Sequence, residues 1–175
     1  MYSIQRETLS LGRPIRYHFS DDNGRELYTA ERTEEQFNLD QHLQFLDAAG
    51  LPIARLIPPD DRNPWSATST YRLLLTDEAE AHFTIEQTFS LVDRLLLRLP
   101  HYRLRANGTR YKVKGSRHGE HFYELFDTKD RYLGQIERPI HGPTFSIEGE
   151  PSPLMQLPLL LAALVILIDL AETDN

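Results

Sequence analysis

Ser152-Pro-Leu-Met-Gln-Leu-Pro-Leu-Leu-Leu-Ala-Ala-Leu-Val-Ile-Leu-Ile-Asp-Leu-Ala171 holds no polar residue between Leu157 and Ile168. Leu, Ala and Met favour helix, and a run of this length exceeds an ordinary strand. Ser152 reads as an N-cap with Pro153 at the first helical position, where its missing N–H costs nothing. The spacing therefore predicts a helix over about residues 152–171, with Pro158 as a point that delays or kinks its start. A helix apolar on every side must be wrapped by protein or sit in lipid. A spanning helix needs roughly 20 apolar residues. This run is shorter, Asp169 interrupts it, and no Lys or Arg occurs after Arg138 to supply a positive flank. The reading is a buried core helix, with a tail anchor as the alternative.

The rest of the chain reads as short strands joined by turns. Residues 2–6, Ile15–Phe19 and Glu26–Arg32 are strands, the last two joined by Asp21-Asp-Asn-Gly24. Gln41–Leu46 and Pro52–Ile57 flank Asp47-Ala-Ala-Gly50, and Pro58-Pro59 ends the return strand. The segment from Pro58 to Ser69, with Trp65, is the longest irregular one and reads as a rim loop or lid. Tyr71–Leu75 and Ala81–Gln87 make a further pair, and Phe89–Leu99 reads as one or two apolar strands. Tyr102–Ala106 and Thr109–Lys114 meet across Asn107-Gly108, the strongest short-range hairpin signal, which fixes their register. His121–Phe126 pairs with Arg131–Glu137, and Pro143–Glu148 leads into the helix. Phe45–Pro59 repeats as Leu125–Pro139, with Asp opening the turn and Pro closing the strand in both. About a dozen short strands leave edges that a closed barrel removes, and a barrel that wide has a lumen a helix can plug. The expected fold is mainly β: a closed antiparallel barrel of about twelve strands around the C-terminal helix, one domain over residues 1–175.

The strand–Asp–turn–strand units (Phe45 to Pro59, Phe122 to Pro139), Tyr111-Lys-Val-Lys-Gly115 and the apolar helix ending Ile-Leu-Ile-Asp169 resemble the LURP-one-related family, which shares the tubby C-terminal-like fold with phospholipid scramblases. The resemblance covers nearly the whole chain. It implies a twelve-stranded antiparallel barrel around a buried C-terminal helix. Relatives with this fold bind phosphoinositides or move phospholipids, and a fold alone does not transfer either role. The Pro58–Ser69 loop and Pro158 depart from the family pattern.

Composition narrows the function classes. A net charge of −7 argues against general nucleic-acid binding. With no cysteine there is no disulfide framework, thiolate nucleophile or Cys-ligated zinc. The N-terminal Met-Tyr-Ser-Ile-Gln-Arg-Glu lacks an apolar signal core, so the expected location is cytoplasmic, with peripheral membrane attachment as an option. No nucleophile elbow, phosphate loop, dinucleotide fingerprint, zinc-helix or EF-hand motif occurs. His118-Gly-Glu-His121 with His101, and the acidic loops Asp60-Asp61 and Asp77–Glu80, read as solvated turns rather than metal sites. No catalytic residue, cofactor or metal is assigned.

Charge is segregated. Of 19 Lys and Arg, eight fall between Arg94 and Arg117, a stretch with no acidic residue. The hairpin register places Arg103, Arg105, Arg110, Lys112 and Lys114 on one face and Tyr102, Leu104, Tyr111 and Val113 on the other. The apolar face must look inward, so the basic face looks out. Arg105 opposite Arg110 and Arg103 opposite Lys112 are like-charge pairs, which are destabilising. A stretch that keeps them points to an anion they bind: an anionic membrane surface or a small anionic ligand. The competing reading has Glu86, Glu120 or Glu124 neutralising the strip, in a structural or protein-interaction module. An enzyme with an unrecognised site, at the Trp65 loop, is the third reading. The expected state is a monomer.

Overall fold

A computed structural model describes residues 1–8, 15–32, 43–59, 68–76, 83–89, 99–116, 121–138 and 143–173. Its first six strands are β1 (Tyr2–Thr8), β2 (Ile15–Asp21), β3 (Glu26–Arg32), β4 (Leu43–Asp47), β5 (Pro52–Ile57) and β6 (Thr68–Leu75). Six more follow: β7 (Phe83–Thr88), β8 (His101–Ala106), β9 (Thr109–Ser116), β10 (His121–Phe126), β11 (Tyr132–Arg138) and β12 (Thr144–Gly149). Each pairs antiparallel with its chain neighbours, and β1 pairs with β12 to close the ring. The helix α1 (Pro158–Thr173) comes last.

Alternation along the strands sends apolar side chains inward and polar ones outward. Strand β8 alternates exposed and buried from His101 to Ala106 without a break. Large and small residues face each other around the lumen: Tyr17 opposes Ala30, Ala30 opposes Phe45, and Phe45 opposes Ala54. This interdigitation leaves an axial space, which α1 fills. Every residue from Leu160 to Asp169 is buried. At 1.5 Å per residue the helix runs about 24 Å. No described helix is long and apolar enough to cross a membrane. The tail-anchor alternative is overturned by burial: the apolar surface of α1 is spent on the inner wall of the barrel. Outward positions such as Gln5, Arg55, Arg72 and Arg103 are exposed and polar, the reverse of a lipid-facing barrel wall.

The helix starts later than Ser152. The Ser152 Oγ accepts from Met155 N–H at 3.4 Å and its carbonyl accepts from Gln156 N–H at 3.3 Å, closing a single turn. Leu157 N–H then donates back to Leu154 at 3.0 Å, one residue short of helical spacing. Pro158 has no N–H to continue the ladder, so it becomes the first residue of α1, and Leu161 N–H donates to Leu157 at 3.1 Å. Tyr2 Oη pins the preceding turn by donating to the Met155 carbonyl at 2.8 Å.

Strands β7 and β8 pair directly, Phe83 with Ala106 through Thr88 with His101, and the strand expected at Phe89–Leu99 falls in the chain between them. Residues 90–98 themselves, and most of the Pro58–Ser69 loop with Trp65, lie outside the described residues.

The repeat seen in sequence is a repeat in register. Hairpin β4–β5 pairs Phe45 with Ala54, shifts by one, and resumes at Leu46 with Pro52. Hairpin β10–β11 pairs Leu125 with Gly134, shifts, and resumes at Phe126 with Tyr132. Hairpin β2–β3 is a third copy: Phe19 with Tyr28, a shift, then Ser20 with Glu26. In each the turn is built by an aspartate. Asp21, Asp47 and Asp127 accept through Oδ1 from the backbone N–H groups two and four residues on, at 2.8–2.9 Å. Three residues after each aspartate the backbone turns left-handed: Gly24 at φ 74°, Gly50 at φ 78° and Asp130 at φ 56°. Only the β10–β11 copy puts a side chain at that point.

Candidate functional site

The basic strip lies on β8 and β9. Asn107 at φ 48° and Gly108 at φ 77° form the two-residue turn, both left-handed as the tight hairpin requires. The register follows: Tyr102 with Val113, Arg103 with Lys112, Leu104 with Tyr111 and Arg105 with Arg110. Tyr102, Leu104, Ala106, Tyr111 and Val113 are buried against the core. Arg103, Arg105, Arg110 and Lys114 are exposed and Lys112 is half-buried, so all five basic side chains face outward.

Their partners divide the strip in two. Arg103 Nη1 donates to Glu86 Oε1 at 3.2 Å, its neighbour across β7 and β8. Lys112 Nζ donates to Asp130 Oδ1 at 2.9 Å, and Lys114 Nζ lies 3.8 Å from the same oxygen. Lys114 also sits over the Phe126 ring, 4.8 Å from its centroid. The hydrogen bond from Lys112, reinforced by the charges of Lys112 and Lys114, holds the Asp130 carboxyl below its ordinary range. Arg105 faces Thr84 on one side and Arg110 on the other. Neither arginine has an ion-pair partner among the described residues.

Of the three carboxylates expected to neutralise the strip, Glu86 does so. Glu124 is the cross-strand neighbour of Lys114, but the ammonium goes to Asp130 and Phe126 instead. Glu120 lies outside the described residues, as do Asp60, Asp61, Asp77–Glu80 and His118. Among the described residues no group of three or more His, Asp or Glu is placed to hold a metal.

Sequence reasoning missed Asp130 as a partner. The signal was present: Asp130 aligns with Gly50 in the repeat, and a charged residue where a turn calls for glycine has a side chain to use. A second missed group is the clasp at Asp169, which is buried and accepts from Arg6 Nη1 at 3.1 and 3.2 Å and from Tyr17 Oη at 2.9 Å. Arg138 Nη2 stands 3.8 Å from it. The clasp ties α1 to β1, β2 and β11 and is structural.

Chemically, the strip offers two arginines with no acidic partner among the described residues, beside two lysines sharing one carboxylate. That suits an oxyanion such as phosphate, since guanidinium groups present forked donors to it. Comparison with protein-family models, with curated proteins and with solved structures gives no match to this chain.

Proposed function

We propose that this barrel is a non-catalytic binding protein that recognises an anionic surface, most simply phospholipid head groups, through Arg103, Arg105, Arg110, Lys112 and Lys114. The observation that carries the reading is the pair Arg105 and Arg110. They face each other across a tight hairpin, both exposed, with no acidic partner among the described residues. Like charges so placed disfavour the hairpin, and an anion between them removes the conflict. The resemblance to LURP-one-related proteins and their tubby-like relatives is in keeping with a lipid-facing role, and with a cytoplasmic protein peripheral to the membrane. Each basic residue close to an anionic membrane contributes about 1 kcal/mol within a Debye length.

Liposome co-sedimentation tests this. Binding is expected with vesicles containing phosphatidylserine at low salt, and not with zwitterionic vesicles. Arg105→Gln with Arg110→Gln is expected to weaken it and flatten its salt dependence, with the thermal midpoint unchanged or slightly raised. Stabilisation by inorganic phosphate without vesicle binding would identify a small anion as the ligand instead. The second reading is a structural or protein-interaction module with no lipid ligand. The ion pairs Arg103–Glu86 and Lys112–Asp130 favour it, because they already neutralise part of the strip. It predicts no vesicle binding and a lower midpoint when Arg103 loses Glu86.

A further inference from the structure

We infer that Asp130 is a built-in counter-ion that covers the lysine half of the strip, so that an anionic surface must compete with it to reach Lys112 and Lys114. This rests on the anion-binding reading and adds its regulation. Three observations converge. The same hairpin occurs three times, and the two other copies carry glycine at the left-handed position. A left-handed backbone disfavours an L side chain, though Asp tolerates it better than most. Asp130 occupies that position at φ 56°, and its carboxylate reaches both lysines. The neighbouring carboxylate Asp127 is committed elsewhere, accepting from Arg131 Nε at 2.7 Å and from two backbone N–H groups.

The exposure of these groups decides what kind of control this is. The Asp130 side chain is 57% exposed, Lys112 43% and Lys114 52%. Ion pairs this open to water hold weakly and are screened by salt. Asp130 therefore sets a threshold and does not act as a permanent block. A sparse anionic surface engages Arg105 and Arg110 alone. A dense one outcompetes a single carboxylate and recruits the lysines as well. Binding then rises more steeply with anionic lipid content than the open arginines alone would give.

The test uses Asp130→Gly, which copies the residue at Gly24 and Gly50, and Asp130→Asn, which keeps a residue tolerant of left-handed backbone. Full-length protein is titrated with phosphatidylcholine vesicles carrying graded fractions of phosphatidylserine. Each freed lysine is worth about fivefold in affinity. Both variants are expected to bind at least about fivefold tighter than wild type at low salt, and to half-saturate at a lower phosphatidylserine fraction. Adding Lys112→Gln and Lys114→Gln to Asp130→Gly is expected to abolish the gain. If wild type binds through Arg105 and Arg110 but the Asp130 variants bind no better, the threshold is overturned and the anion-binding reading stands. If the gain persists without the two lysines, it reflects net charge and the inference is overturned. If neither wild type nor variants bind, both readings fall.

Discussion

Asp169 and Arg6 meet across 163 positions of sequence, with one guanidinium nitrogen donating to both carboxylate oxygens at 3.1 and 3.2 Å. Asp169 sits on a helix whose preceding twelve residues are apolar. A carboxylate buried there is tolerated only with counter-charge and hydrogen bonds. Arg6 on β1, Tyr17 on β2 and Arg138 on β11 supply them, so the last turns of α1 are held to one side of the barrel mouth.

Breaking that clasp removes the buried carboxylate that Arg6 and Arg138 face. Asp169→Asn is expected to lower stability by about 3 kcal/mol, the usual cost of removing one member of a buried pair. Urea denaturation of Asp169→Asn, Arg6→Gln and the double variant measures it. A coupling energy above about 1 kcal/mol is expected for groups in direct contact. A coupling near zero would show that Tyr17 and the helix packing hold α1 without the ion pair.

The helix itself is the filling of the lumen. Leu161 is fully buried. Leu161→Ala is expected to cost about 2–5 kcal/mol through lost contacts and a cavity. Leu161→Asp, which buries an unpaired charge, is expected to prevent folding. Removing residues 152–175 is expected to give aggregated chain, because twelve strands cannot fill their own interior. Circular dichroism and size exclusion report this, and a truncated chain that stayed folded would show that the barrel closes without its plug.

His18 gives a pH dependence with a definite sign. Burial acts to lower its pKa, but hydrogen bonds to Glu26 and Glu7, with their charges, prevail and raise it. The ring nitrogens lie 2.7 Å from Glu26 Oε2 and 3.3 Å from Glu7 Oε2. A raised folded-state pKa means this stabilisation is complete below the ordinary histidine value of about 6.5. It is lost as pH rises through the raised value. His18→Gln is therefore expected to be less stable than wild type at about pH 6, by under about 1 kcal/mol at so open a site, and equal to it at about pH 9. A deficit of constant size across that range would mean that the ring acts by packing and not by charge.

The β8–β9 hairpin was legible in the sequence because its information is local. Asn107-Gly108 admits essentially one tight turn, the turn sets the register, and the register sorts Arg103, Arg105, Arg110, Lys112 and Lys114 to one side. The start of α1 was ambiguous for an equally local reason: Ser152 and Pro158 both carry start signals, and Pro158 prevailed because a missing N–H cannot be supplied by packing. The strand expected at Phe89–Leu99 falls almost wholly outside the described residues, and a short apolar run carries no periodicity that separates a strand from anything else. The third copy of the hairpin escaped notice because what β2–β3 shares with the other two is an aspartate turn and a shifted register more than a string of residues.

What the sequence determined by itself was therefore the parts list: strands by alternation, turns by Asp, Asn and Gly, and a helix too apolar to lie on a protein surface. What the tertiary structure alone decided was partnership. Whether a charged side chain is free or neutralised depends on residues brought beside it by ring closure and strand order. Asp130 reaches Lys112 from 18 positions away, and Asp169 reaches Arg6 from 163. Charge acts through a few ångströms of space, and no spacing along a chain encodes those distances until the barrel has closed.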